Sequence, residues 1–357
     1  MSKAYWHNRI ASPQEKETLL LFVRKVYGED FPDLNRSYWE WRYTSNPACE
    51  VEFFVAEFEK RPIAVLPTAV FDFQWSEQIF PAVMLTGLVT HPEHRRRGIF
   101  RSLISSINEH GHRHGRLFNM GMPNDIALPG YLKFGGWEYP GKIRLYAKVL
   151  DYSSVFRDKL PNPIANGCGS LSRLLSHKRS RQSIPLLEAE LVSRVPEEFD
   201  QICNNFTMEC NHLMIRRNAA YWQWRYLMKP NSNYRTLLAR NNGRLIGAVV
   251  TSVQRRAGLT IGLILDIVGH GDNTVIVQLL RLAENDLRDL GVGLVTSQAT
   301  SKYLQQFLRH EGYRAIPSKL LPKQFHYVYR PLGVSGLPFN PSKMSDWHLT
   351  FGDSDNT

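Results

Sequence analysis

Residues 88 to 103 read Leu-Val-Thr-His-Pro-Glu-His-Arg-Arg-Arg-Gly-Ile-Phe-Arg-Ser-Leu: an apolar strand that breaks at Pro92, a basic turn, and a helix that opens at Gly98. A junction of this kind is suited to holding a phosphate. The first-turn N–H groups of a helix have no intrahelical acceptor and point outward, with the positive end of the helix dipole behind them. Glycine at 98 keeps a Cβ out of an approaching ligand's way. Arg95, Arg96 and Arg97 lie beside that positive helix end, an unfavourable arrangement unless an anion joins it. The bland alternative is a solvated arginine cluster.

On Arg95, Arg96, Arg97, Gly98, Ile99 and Phe100 the chain resembles the GNAT superfamily of acyl-CoA N-acyltransferases. The family's pyrophosphate loop runs Arg or Gln, two residues, Gly, one residue, Gly or Ala. Phe100 departs from the pattern at the last small position. A second stretch, Asn124, Ala127, Tyr131, Lys133, Gly135, Gly136 and Trp137, resembles the family's Asn, Ala, Tyr, Lys, Gly and aromatic run on the helix after the fifth strand. The resemblance implies acetyl-CoA or another acyl-CoA as cosubstrate, with its diphosphate at 95–100 and Asn124 on the pantetheine side. It further implies that Tyr131 protonates the departing thiolate and that a backbone N–H near Leu88 or Val89 polarises the thioester carbonyl. The plain alternative for Tyr131 is an amphipathic tyrosine capping a core.

Amide formation also needs the amine in its uncharged form. Many GNAT enzymes carry a glutamate on the strand before the loop, yet Val83 to Val89 contains no acid, and Glu77 and His91 only flank it. Asp266 becomes a candidate if the two halves of the chain pack suitably. In the tail, Asp346-Trp347-His348-Leu349-Thr350-Phe351-Gly352-Asp353-Ser354-Asp355 mixes acids with large apolar residues, the composition of a segment that docks. Asp353 or Asp355 then holds a cationic amine, or the segment is only a strap over the second half.

The elements that position these residues occur twice. Tyr38-Trp39-Glu40-Trp41-Arg42-Tyr43 recurs as Tyr221-Trp222-Gln223-Trp224-Arg225-Tyr226, and the same offset pairs Asn35 with Asn218, Pro47 with Pro230, Arg61 with Arg244 and Ile63 with Ile246. This predicts a duplicated fold. On a helix, rings two positions apart diverge, so one tryptophan of each pair enters the core and the other lines a cleft; Trp41 is the candidate acceptor platform.

In the first copy, strands are expected over 51–58, 62–73 and 79–90, a helix over 99–114, a strand over 117–122, the Tyr131 helix, and 143–150 closing the sheet. Ser12 and Glu15 form a capping box that opens a helix over 14–27. The second copy reads as strands 234–240, 244–253 and 259–268, a helix 274–290, a strand 293–297, a helix 302–310, and 325–329 closing its sheet. Where the first copy has its arginines, the second has Gly269-His270-Gly271-Asp272-Asn273, and Phe307 replaces Tyr131. The expected architecture is α/β: two tandem GNAT-like domains, each a mixed, mostly antiparallel sheet flanked by helices. Residues 1–150 form the acyl-CoA-binding domain, 151–183 a linker, 184–331 a degenerate partner and 332–357 a C-terminal tail.

Composition sets the outer bounds. At 357 residues the chain suits two domains. Its formal charge of +11 gathers largely in the 95–101 loop and around 173–181, without a zinc finger, RNA-stacking motif or helix-turn-helix signature, so no specific nucleic acid is expected. No apolar run spans a bilayer and no signal peptide opens the chain, which makes the cytoplasm the default. Cys49, Cys168, Cys203 and Cys210 lack metal or disulfide spacing, and His110, His112 and His114 do not share a helix face, so no metal is expected. The sequence thus points to an N-acetyltransferase acting on a small amine, with an amino sugar or nucleotide-linked amino sugar as the acceptor candidate. A non-catalytic acyl-CoA-binding regulatory module and a FemAB-like transferase using aminoacyl-tRNA stay open as alternatives.

Overall fold

The 79–90 apolar run does not form one strand. It divides into β4 (Gln78–Leu85) and β5 (Val89–Thr90), and the break at Thr86 and Gly87 opens the sheet. The structure is a computed structural model that describes residues 5–28, 35–47, 49–134, 136–152, 187–256, 258–272, 274–333 and 337–354. Asp355 and most of the expected linker lie outside the described residues.

Before that break come β1 (His7–Ile10), α1 (Lys16–Tyr27), α2 (Arg36–Tyr43), β2 (Cys49–Phe58) and β3 (Arg61–Trp75). After it come α3 (Ile99–Arg113), β6 (Phe118–Gly121), α4 (Leu128–Lys133), β7 (Glu138–Lys142) and β8 (Leu145–Val149). The second half contains β9 (Glu188–Val192), α5 (Phe199–Cys210), β10 (Met214–Ile215), α6 (Ala219–Trp222), β11 (Arg235–Asn241), β12 (Arg244–Arg256) and β13 (Leu259–Gly269). It ends with α7 (Thr274–Asp289), β14 (Leu294–Gln298), α8 (Lys302–His310), β15 (Arg314–Ala315) and β16 (His326–Pro331). Ser12 N–H donates to Glu15 Oε2 at 2.8 Å, as the capping box requires, but the residues it caps first form a 3-10 turn, Pro13–Glu15, before α1.

Two sheets result, ordered β1-β2-β3-β4-β6-β16-β7 and β15-β8-β14-β13-β12-β11-β9. The expectation that 143–150 closes the first sheet and 325–329 the second is corrected here: the closing strands are exchanged. β8 pairs with β14, Leu145 opposite Gln298, while β16 pairs with β6, Val328 opposite Gly121. Only Ile143 and Arg144 separate β7 from β8, so the chain steps directly from one sheet to the other. One apolar cluster accordingly spans both halves, from Trp41, Phe71 and Phe118 to Tyr221, Trp224 and Trp347.

The repeated hexamer sits at the centre of that cluster. Asn35 and Asn218 each cap their helix, accepting from Tyr38 N at 2.7 Å and Tyr221 N at 2.8 Å. Trp41 Nε1 donates to Trp224 O at 2.8 Å, and Trp224 Nε1 donates to Trp41 O at the same distance, both across a sequence separation of 183. Their rings stack 5.1 Å apart. The copies therefore meet through the repeat itself, while Trp39 and Trp222 turn into the core. In the first copy α3 buries Ile99, Leu103, Ile104 and Ile107 on the sheet face that also carries Val83, Leu85 and Tyr131. At about 1.5–3 kcal/mol per fully buried aliphatic side chain, that stripe fixes the helix start at Gly98.

Candidate active site

Gly98 is the N-cap of α3, with φ +89°, and no side chain caps the helix there. The first intrahelical bond runs from Ser102 N to Gly98 O at 3.1 Å, leaving the N–H groups of Ile99, Phe100 and Arg101 free of intrahelical acceptors. Arg96 is also left-handed, φ +61°, so the turn alternates hands and directs successive N–H groups into one concavity, a nest for an anion. Arg95, Arg96 and Arg97 are exposed, and none forms an ion pair among the described residues. Arg95 Nε ties the turn to β5 through Thr90 O at 3.1 Å.

Phe100, the departure from the small-residue pattern, does not block this concavity. Its ring packs edge-on against Tyr131, 5.1 Å between centroids, and lies where a Cβ on Gly130 would approach within 3.0 Å. The small residue has in effect moved from 100 to 130.

Beside the nest the sheet is split. β4 pairs with β6 in parallel from Val83–Asn119 to Leu85–Gly121 and no further, whereas β5 pairs only with β3, through Val65–Val89 and Ala64–Thr90. His91 N donates to Ile63 O at 2.9 Å. In an antiparallel ladder, bonded and non-bonded pairs alternate, so Val89 directs its N–H to β3 while those of Leu88 and Thr90 face the opening. Of the two residues marked in the sequence, Leu88 is the one whose donor can reach a ligand carbonyl in the split.

Tyr131 lies on the α3 side of this split, 7% exposed, against Phe100 and Trp137. A Cβ on Gly121, where the β4–β6 pairing stops, would sit 3.6 Å from the Tyr131 hydroxyl, so the phenol stands at the mouth of the opening. Burial pushes its pKa up, keeping it a proton donor at neutral pH. Asn124 Oδ1 accepts from Ile126 N at 3.1 Å and Ala127 N at 2.9 Å, shaping the turn that precedes α4.

On the opposite face a cavity of ≈ 30 Å³ is lined by Trp41, Thr86, Tyr221, Trp224 and Asp353, among others. Trp41 and Asp353 are thus brought together, two residues in sequence from Leu88 through Thr86. Asp266 is not. It is buried behind them, with Oδ2 accepting from Arg217 Nε at 3.0 Å and Tyr226 OH at 2.6 Å, and Oδ1 from Ile267 N at 3.0 Å and Thr350 Oγ1 at 3.3 Å. Arg217, which sequence reading missed, bridges Asp266 to Asp353 Oδ2 at 2.8 Å. Its one signal was the repeat: the matching position of the first copy is the apolar Leu34.

The second copy has a split too, but it is filled. β13 pairs with β14 from Ile261–Leu294 to Ile264–Ser297, then runs on to Gly269 with β12 alone. Residues 347–353 lie in the gap: Leu349 N donates to Thr300 Oγ1 at 2.8 Å, His348 Nδ1 lies 2.9 Å from Ser301 Oγ, and Thr350 meets Asp266. The helix beyond, α7, already has its anion, since Asp272 Oδ1 accepts from Thr274 N at 2.8 Å.

Of the histidines of α3, His110 is turned onto Glu52 Oε1 at 2.8 Å and His112 onto Leu332 O at 2.9 Å. Among the described residues, the side chains of His91, Glu93 and His94 bring three potential ligand atoms within 4.8 Å of one another on the turn before the arginines.

Comparison with known proteins bears on the fold. Residues 7–139 match the family model described as Acetyltransferase (GNAT) domain. No curated protein matches the chain. Among solved structures, a GCN5-related N-acetyltransferase from Anabaena variabilis is 15% identical, with a TM-score of 0.65 over 92% of this chain and 73% of that one. The N-myristoyltransferase of Saccharomyces cerevisiae with bound myristoyl-CoA is 10% identical, TM-score 0.54, over 92% and 83%. A tandem GNAT protein from the clavulanic acid biosynthesis pathway is 15% identical, TM-score 0.51, over 92% and 100%. The first part of the chain, residues 7–139, thus matches a GNAT domain model, and the chain as a whole has a tandem GNAT-like α/β fold of two mixed, mostly antiparallel sheets. Among the described residues no helix is long and apolar enough to cross a membrane.

Proposed function

We propose that the protein is an acyl-CoA-dependent N-acyltransferase, with acetyl-CoA the simplest donor and a small amine the acceptor. The observation that carries this reading is the contrast between the two splits. The first copy's is open, ends on an uncapped nest flanked by arginines, and has a buried phenol on one face and a cavity on the other. The second copy's is occupied by the chain's own residues 347–353. One donor site follows, on 1–150, with 184–331 and the 332–357 tail as the partner that walls the acceptor side and 151–183 joining them.

In this reading the Arg96 to Arg101 backbone and the three arginines take the diphosphate. A Cβ added at Gly98 would meet no atom within 4 Å, so the space beside the turn admits the diphosphate's close approach. The Leu88 N–H polarises the thioester carbonyl, the amine attacks from the Trp41 face, and Tyr131 gives its proton to sulfur from the other. An amino sugar or nucleotide-linked amino sugar meets the aromatic walls only if its ring stays at the cavity mouth and its amine reaches in.

Thiol release from acetyl-CoA, followed with n-butylamine, putrescine and glucosamine in turn, tests this reading. Amine-dependent release above the hydrolysis rate is expected. Bound acetyl-CoA with no acceleration by any amine would favour the non-catalytic module instead.

A further inference from the structure

Of all the carboxylates in the described residues, Asp353 is the one that lines the cavity between the copies. It is 3% exposed. Its Oδ2 is fully engaged, accepting from Arg217 at 2.8 Å and from Thr350 N at 2.7 Å. Its Oδ1 has no partner. A buried carboxylate oxygen without a donor is costly, and such an oxygen beside a cavity is a place where a ligand's donor recovers that cost. The stretch from Val83 to Val89, which borders the split in the first copy, contains no acid.

The cavity also limits what reaches Asp353. At ≈ 30 Å³ it has room for about two waters or one ammonium head, against roughly 300–1,000 Å³ for a site that swallows a whole ligand. Its walls are mostly rings, Tyr38, Trp41, Phe71, Tyr221 and Trp224; two guanidinium groups also line it, but Arg42 donates to the Tyr38 hydroxyl at 2.9 Å and Arg225 to Gly352 O at 2.8 Å and Ser354 O at 2.7 Å, and neither donates to Asp353 Oδ1. Flat aromatic walls ending on a carboxylate recognise a cation on a slender apolar arm.

We infer that Asp353 Oδ1 is the acceptor site's ammonium-binding carboxylate and its proton acceptor, and that the acceptor is a primary amine at the end of a slender methylene arm. This rests on the acyltransferase reading and names its substrate class. The ammonium gives one proton to Asp353 Oδ1. The freed nitrogen lone pair forms the C–N bond at the thioester carbonyl, the C–S bond breaks, and the Tyr131 O–H proton goes to sulfur. The second N–H proton lost as the amide forms restores the Tyr131 hydroxyl through solvent, and Asp353 then releases its own proton. Burial raises the Asp353 pKa, which suits a proton acceptor.

The test uses the tryptophans already in the walls. The full-length protein is saturated with CoA, which cannot transfer, and titrated with n-butylamine or n-butanol while tryptophan fluorescence is followed. Wild type is expected to bind the amine at least about 10-fold more tightly than the alcohol, and Asp353→Asn, which keeps an oxygen for Arg217, to show no preference. Ala69→Leu fills the cavity from its wall without touching the ion pair, and is expected to lose amine binding while CoA affinity holds. Equal affinity for amine and alcohol in wild type, or a preference retained in Asp353→Asn, overturns the inference. Failure of CoA itself to bind overturns the acyltransferase reading instead, and the amine and alcohol are then compared on the free protein by the same criteria.

Discussion

Tyr131→Phe is expected to lower the transfer rate by about 10²–10⁴-fold while leaving acetyl-CoA affinity within a factor of two or so. The substitution removes one oxygen and no packing: the ring keeps its edge contacts to Phe100 and Trp137. The lost group is the hydroxyl at the mouth of the split, the proposed proton donor. Because burial raises the Tyr131 pKa, the phenol stays protonated through the neutral range and up to the alkaline limit of the assay. The loss should therefore be of similar size from about pH 6 to pH 9, with no titration of Tyr131 shaping the wild-type profile in that window. It should also shrink with a thioester whose thiol is more acidic and needs no protonation to leave. Single-turnover thiol release measures both effects. A rate equal to wild type across that range would remove Tyr131 from the reaction.

Arg217→Ala is expected to be the most damaging single change to the structure, at about 3–5 kcal/mol. Arg217 is fully buried between Asp266 and Asp353, whose side chains are also fully buried. Removing it leaves two like charges facing each other without a counterion. Burial already raises the Asp353 pKa, and without Arg217 that carboxyl is harder still to ionise folded than unfolded, so its protonation favours the folded state. The destabilisation should thus be largest at neutral pH and ease as the pH falls. The first element to loosen should be 347–353, which is held by Arg217 through Asp353, by Thr300 through Leu349, and by Arg225 through Gly352 O at 2.8 Å. Urea melts at two pH values, with hydrogen exchange across that segment, check both points. Wild-type stability with unchanged exchange would mean the triad is not what seats the segment.

The parts of this molecule that could be read from residues alone are those with a local cause. The α3 start is written in Gly98 and the apolar spacing of Ile99, Leu103, Ile104 and Ile107. The duplication of the fold is written in the repeated hexamer, whose aromatic pattern recurs at a fixed offset, although that the copies meet through Trp41 and Trp224 is not. What could not be read depends on which strand meets which. Leu145–Val149 and His326–Pro331 are recognisable as strands, but nothing in their alternation says they cross to the opposite sheet; that follows from the short Ile143–Arg144 link and from packing of both sheets on one core. Asp266 shows the same limit for the site. In the sequence it was a candidate only on the condition that the two halves pack suitably; in the fold Arg217, Tyr226 and Thr350 consume its oxygens, partners that come from two distant stretches of chain. Asp353 was one of two tail acids of equal standing in the sequence until the fold set it beside Trp41.

The central claim is a single acyl-CoA site at the Gly98 nest. Calorimetric titration of acetyl-CoA into the wild-type protein and into Gly98→Asp tests it most directly. Residue 98 is left-handed at φ +89°, so any side chain there strains the turn, and a carboxylate adds a negative charge where the diphosphate must lie. One-to-one binding in wild type that falls by at least about 100-fold in Gly98→Asp, with the variant still folded, is the predicted result. Two-to-one stoichiometry, affinity retained in the variant, or no binding in wild type would contradict it.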